Sequence, residues 1–216
     1  MQNLFDFSGF IFDLDGTLLD SLWVWRQVDI ISLKRRGFDV PEDYAQAIAH
    51  LSFAEAAQYT INRFHLAESP QVLMEEWYAM AVTEYRDHVM LKPYVRTFLE
   101  KVHSQKIPMA AATASDYTLI TPTLKRLGVF DLFQSVTTIQ EVTRDKSFPD
   151  IYLLAAERLG VAPEQCVVYE DILLGIQSAK SAGFYTVGVE EPFSLPNREK
   201  IKQTADRYIE SFADLL

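Results

Sequence analysis

Residues 10–21 read FIFDLDGTLLDS, and this stretch decides the fold. Gly9, Phe10, Ile11 and Phe12 form a short apolar run without polar alternation, the texture of a strand buried on both faces. The run ends in two acids one residue apart, Asp13 and Asp15, and Gly16 follows at once. Carboxylates are costly to bury unpaired, and like charges this close raise each other's pKa. Two acids at the end of a core strand therefore call for a compensating partner elsewhere in the chain.

Four more apolar runs extend the pattern: 107–113 (IPMAAAT), 135–138 (SVTT), 166–170 (CVVYE) and 185–189 (YTVGV). Helical patterns lie between them. The segment 94–105 follows Pro93, which reads as the first helical residue, and 150–160 opens on Asp150 as an N-cap and closes on Gly160. In 175–184, Gly175, Ala179 and Gly183 recur every four residues and predict a helix with one small face. In 118–128, Pro122 predicts either a kink or a helix that starts near Thr121. Alternating strands and helices predict an α/β fold with a doubly wound, Rossmann-like parallel sheet.

Residues 22 to about 90 differ. The segments 22–37, 41–50, 53–64 and 69–88 all read as amphipathic helices, with no strand among them. So long a block exceeds a simple crossover between strands. The predicted organisation is an α/β core of residues 1–20 and 91–216, with an inserted all-helical domain at 21–90.

The 216 residues allow a full hydrophobic core, and 49% hydrophobic with 23% charged residues is ordinary for a globular protein. The net charge of -10, with no long Lys/Arg cluster, argues against nucleic acid as a partner. Cys166 is the single cysteine and sits in an apolar run, which predicts a buried, inert thiol. No basic stretch precedes an apolar one in residues 1–10, and no 18-residue apolar run exists. A cytoplasmic monomer with no membrane partner is the resulting expectation.

In a doubly wound sheet, ligands bind beyond the carboxyl ends of the strands. Those ends deliver Asp13 and Asp15, then Thr113 with Ser115 nearby, then Lys146 after a short loop, then Glu170 and Asp171. Carboxylates without cysteine or histidine suit a hard cation, with Mg²⁺ the first choice. Lysine, a hydroxyl and loop N–H groups suit phosphate oxygens. The set fits a phosphoryl group in transfer, where positioning and charge stabilisation dominate.

At this point DLDGT (13–17), Thr113 closing AAAT, Lys146 in DKSFPD and EDILLG (170–175) resemble the four motifs of the haloacid dehalogenase-like superfamily. The helical block just after the first motif resembles its helical-cap branch, which includes β-phosphoglucomutases and phosphoglycolate phosphatases. The resemblance spans essentially the whole chain. It implies a Mg²⁺-dependent phosphoric monoester hydrolase, with Asp13 as the nucleophile that becomes an aspartyl-phosphate and Asp15 as general acid/base. It further implies Thr113 and the Ala114 N–H on the phosphoryl oxygens, and Lys146 balancing charge between nucleophile and phosphate. Asp13, the Asp15 carbonyl and Asp171 would hold Mg²⁺, with Glu170 assisting directly or through water.

The name-giving dehalogenases lack an acid at the position of Asp15, so a phosphatase or phosphomutase is the better match. Trp25 stands where sugar phosphomutases of this branch carry a histidine, and AHLSFAEA (49–56) lacks their glycine and arginine. Both departures favour the phosphatase over the mutase. Ile172 and Tyr94 replace a common Ser and Gly without removing a catalytic group. Trp25 and His50 are the substrate-contact candidates of the insert, although aromatic residues such as Trp23, Trp25, Phe53, Trp77 and Tyr78 are more often core. A phospho-acceptor signalling module shares clustered acids, Thr and Lys, but lacks a helical insert.

Overall fold

The computed structural model describes residues 3–48 and 51–216. Six parallel strands form the main sheet: β1 (Gly9–Phe12), β4 (Met109–Thr113), β5 (Ser135–Thr138), β6 (Cys166–Glu170), β7 (Tyr185–Val189) and β8 (Arg207–Ile209). Their order is β5-β4-β1-β6-β7-β8. β1 pairs with β4 on one side and β6 on the other, so the winding direction reverses at β1. A second, two-stranded antiparallel ribbon joins β2 (Leu19–Asp20) to β3 (Met90–Leu91).

The five apolar runs all form strands of this sheet. β1 explains why they lack alternation. Phe10 and Phe12 pack on one face against Phe98 and Tyr169, which in turn pack against Phe212, with the Phe12 and Tyr169 rings stacked at 4.6 Å. Ile11 faces the other way, into a cluster with Ala110, Ala112, Tyr152, Ala155 and Val168. Each large apolar side chain so buried contributes about 1.5–3 kcal/mol. β8 was not expected from the sequence; it spans three residues at the sheet edge, too few to make a pattern.

The helices of the core are α5 (Val95–Ser104), α6 (Tyr117–Arg126), α7 (Asp150–Leu159), α8 (Leu173–Ser181) and α9 (Arg198–Thr204). Several helix ends differ from expectation. Tyr94, not Pro93, precedes α5, in a left-handed conformation (φ 66°). Pro149 occupies the N-cap of α7, and Asp150 pairs instead with Arg144. α6 starts at Tyr117 under an Asp116 N-cap and runs through Pro122. Gly183 lies beyond the end of α8 at φ 91°, so Gly175 and Ala179 are the two small positions within the helix.

Residue contacts divide the chain into two compact units, residues 1–21 with 89–216, and residues 22–88. The second unit is helical: α1 (Trp23–Arg35), α2 (Tyr44–Ile48), α3 (Phe53–Phe64) and α4 (Pro70–Asp87). Ser52 and Glu55 form a reciprocal capping box on α3, and Ser69 caps α4 with Pro70 at its start. Tyr44 Oη and Thr60 Oγ1 hydrogen-bond at 2.6 Å in the unit's interior. Arg36 ties α1 to Glu68 and Glu76, and the Trp77 indole N–H donates to Ser32 Oγ at 2.9 Å.

Candidate active site

The chain leaves β1 at Asp13, whose N–H donates to the Tyr169 carbonyl of β6 at 3.0 Å. It then turns sharply. The Leu14 carbonyl accepts the N–H groups of Thr17, Leu18 and Leu19, and Gly16 N–H donates to the Leu19 carbonyl at 3.0 Å. Gly16 sits at φ 85°, a left-handed conformation that a side chain would strain. The turn brings Asp15 back over the strand ends.

Asp13, Glu170 and Asp171 are buried, and their carboxylate oxygens lie within 4.8 Å of one another. Lys146 reaches them from the loop before α7. Its ammonium donates to Asp13 Oδ1 and, at 3.1 Å, to Glu170 Oε1. Ser178 Oγ on α8 donates to the Lys146 carbonyl at 2.6 Å and fixes the loop. Glu170 is held further by Tyr152 Oη at 3.1 Å and by the Asp171 N–H at 3.2 Å. Asp171 accepts Thr17 Oγ1 at 3.0 Å and Ser194 Oγ at 3.4 Å.

Asp15 has different surroundings. Ser21 Oγ donates to Oδ1 at 2.7 Å, Ser115 Oγ to Oδ2 at 2.7 Å, and Thr113 Oγ1 to Oδ2 at 3.4 Å. The Thr113 hydroxyl also accepts the Ser115 N–H at 3.0 Å. Ala114 lies exposed on the same loop.

One lysine does not balance three buried acids. Burial, with Glu170 adding to it, pushes the Asp13 carboxyl up to about 8 despite Lys146. Burial and Asp13 push Asp171 up to about 7. Burial pulls Lys146 down, but Asp13 and Glu170 outweigh it and hold the ammonium well above its ordinary range. An all-oxygen donor set with excess negative charge fits a hard divalent cation.

The core residues singled out in the sequence thus meet at one sheet edge. Thr17, Ser21, Tyr152 and Ser178 also belong to the constellation. Thr17 lies inside DLDGT, but nothing in the local pattern marks the other three. In the helical unit, Trp25 is 38% exposed and packs edge-on against Phe53 at 5.6 Å. His50 lies outside the described residues. Trp77, by contrast, is core, with 3% exposure.

A haloacid dehalogenase-like hydrolase profile matches residues 7–183. The chain belongs to the haloacid dehalogenase-like hydrolase family. It is 32% identical over 195 residues to fructose-1-phosphate phosphatase YqaB of Escherichia coli, covering 85% of this chain and 96% of that protein. It is 30% identical over 173 residues to a phosphorylated carbohydrates phosphatase of Thermotoga maritima, covering 80% of each. The crystal structure of β-phosphoglucomutase from Clostridium difficile superimposes with a TM-score of 0.73 over 97% of this chain and 93% of that one, at 23% identity, a likeness of fold. Within the family the chain is a phosphoric monoester hydrolase, an enzyme rather than a signalling module. Among the described residues, no helix is long and apolar enough to cross a membrane.

Proposed function

We propose that this chain is a Mg²⁺-dependent phosphatase of small phosphorylated sugars that works through an aspartyl-phosphate on Asp13. The observation that carries this reading is the contrast between two acids of one turn. Asp13 is buried against Lys146 with its oxygens among those of Glu170 and Asp171, whereas Asp15 is half-buried and held by hydroxyls. Paired carboxylates in unlike environments suit unlike roles.

In this reading an Asp13 oxygen attacks phosphorus, and the bond from phosphorus to the sugar oxygen breaks. Asp15 gives its proton to the departing oxygen. Water then attacks the same phosphorus, passes a proton to Asp15, and the Asp13–phosphorus bond breaks to release phosphate. Lys146 holds Asp13 in position and offsets charge on the phosphoryl oxygens. Thr113 and the Ala114 N–H are donors for those oxygens. Asp13, Asp171 and the Asp15 carbonyl would hold Mg²⁺, with Glu170, which also orients Lys146, assisting directly or through water. Bound there, the cation would neutralise phosphoryl charge and favour the ionised form of Asp13. Residues 21–90 would act as a cap, with Trp25 and His50 as candidate substrate contacts. The named relatives, one a fructose-1-phosphate phosphatase and one a phosphatase of phosphorylated carbohydrates, support a sugar phosphate as the substrate class.

A screen of sugar phosphates for phosphate release, with and without Mg²⁺, tests the proposal. Asp13→Asn is expected to abolish turnover, and full activity in that variant would remove the nucleophile assignment. Incubation with β-glucose 1-phosphate separates hydrolysis, which yields free phosphate, from the mutase alternative, which yields an isomer.

A further inference from the structure

The first unit contains a second inward-facing lysine, away from Asp13. The side chain of Lys92 is only 17% exposed. Its Nζ donates to the Gly16 carbonyl at 2.7 Å, the Glu190 carbonyl at 2.8 Å and Glu191 Oε2 at 2.8 Å. An ammonium carries three donors, so each N–H has an acceptor. Those acceptors come from opposite parts of the site. Gly16 is the apex of the turn that carries Asp15, while Glu190 and Glu191 follow β7.

The connection runs on from there. Glu191 Oε1 accepts the Phe193 N–H at 3.4 Å at the start of a 3-10 turn, and Ser194 on that turn reaches Asp171. The Lys92 N–H itself donates to the Leu18 carbonyl at 2.9 Å, inside the catalytic turn. Removing an ammonium from water is expensive, and an apolar side chain would stabilise such a position at less cost. The return is geometric. The bonds to Leu14 and Leu19 hold the turn from within; Lys92 grips its apex from outside.

We propose that Lys92 is a positioning residue: by fixing the Gly16 carbonyl it sets the direction in which the neighbouring Asp15 carboxyl group presents its proton. The inference rests on the reading of Asp15 as the general acid. Misplacement of a catalytic group by about 1 Å costs on the order of 100-fold in rate. A misdirected proton donor is felt most when the leaving oxygen is basic.

The test compares kcat/KM for phenyl phosphate and p-nitrophenyl phosphate, whose leaving groups differ in basicity, in the wild type, Asp15→Asn, Lys92→Met and Lys92→Arg. Asp15→Asn is expected to lose far more activity on phenyl phosphate. Lys92→Met is expected to lose about 10–100-fold on phenyl phosphate and at least about threefold less on p-nitrophenyl phosphate. Lys92→Arg keeps the charge but not the three-way convergence, and is expected to show the same bias more weakly. Unchanged rates, or equal losses on both substrates, in folded Lys92→Met overturn the inference while leaving Asp15 in its role. If the methionine variant does not fold, the arginine variant decides by the same ratio. If Asp15→Asn shows no leaving-group bias, the reading of Asp15 fails and the Lys92 inference falls with it.

Discussion

Replacing Gly175 with alanine sets two effects against each other. Alanine is the better helix former, by about 0.8–1.0 kcal/mol in a helix interior, and Gly175 lies in α8. Propensity alone predicts a more stable protein. The surroundings predict the reverse. A Cβ on Gly175 would stand 2.3 Å from Glu170 Oε1, 2.6 Å from Glu170 Cγ and 2.7 Å from Tyr152 Oη. Glu170 cannot swing aside cheaply, because Lys146, Tyr152 and the Asp171 N–H all bond to it. Overpacking of this kind costs about 1–3 kcal/mol. Pulling a buried carboxylate off a charged donor costs about 1.5–3 kcal/mol more. After the helix gain, the net loss is about 2–5 kcal/mol. For a chain of this length, each kcal/mol moves the midpoint by about 2–4 °C, so Tm should fall by about 4–20 °C. Phosphatase turnover should fall with it, since Glu170 holds Lys146 against Asp13. Thermal melts followed by circular dichroism and a p-nitrophenyl phosphate assay give both readouts. Adding Tyr152→Phe should restore little, because the two closest atoms belong to Glu170. A Gly175→Ala protein with unchanged or raised Tm and full turnover would refute the reasoning.

Other perturbations give smaller, separable effects. Burial raises the Asp29 carboxyl to about 7 in the helical unit, so the folded state keeps a proton that the unfolded chain releases near the ordinary 3.8. Stability should therefore fall as pH rises from about 4 to 7, and Asp29→Asn should match the wild type at pH 4. At pH 8 the variant should be more stable by about 1–2 kcal/mol after allowance for solvent screening, as urea titrations at both pH values would show. Ser178→Ala leaves the Lys146 carbonyl without its side-chain donor and should cost about 1 kcal/mol, read as a Tm drop of about 2–4 °C. Mg²⁺ at about 100 times its Kd should stabilise the wild type by about 2.7 kcal/mol, and Asp171→Asn should lose most of that shift in a melt without substrate. Chelation should abolish phosphate release.

The sheet was legible because parallel strands covered on both faces must be apolar throughout. Phe10, Ile11 and Phe12 have no solvent side to encode. Helix ends were less so: Asp150 has the right residue type for a cap, but Arg144 claims it. The acids and Lys146 could be placed together because strand ends converge by topology. Their supports could not be read. Ser21, Tyr152 and Ser178 are ordinary residues whose hydroxyl groups matter only once distant segments meet. Gly175 was visible as a small residue, but its reason, the space beneath Glu170, depends on the folded packing. Lys92 likewise reads as one surface lysine among many until its three acceptors are seen.

The two-stranded ribbon has a bearing on how such a protein is put together. Leu19 pairs with Leu91 and Asp20 with Met90, so the strand leading out to residues 22–88 and the strand leading back run side by side. Directly opposed residues in such a ladder are only about 5 Å apart, a gap that a short turn closes. To the sheet, the helical unit is thus topologically equivalent to a hairpin loop. Its length and sequence can drift, shrink or be exchanged as a cassette without disturbing the register of β1 or β4. A scaffold with that property can keep one chemistry fixed while the attached module diversifies.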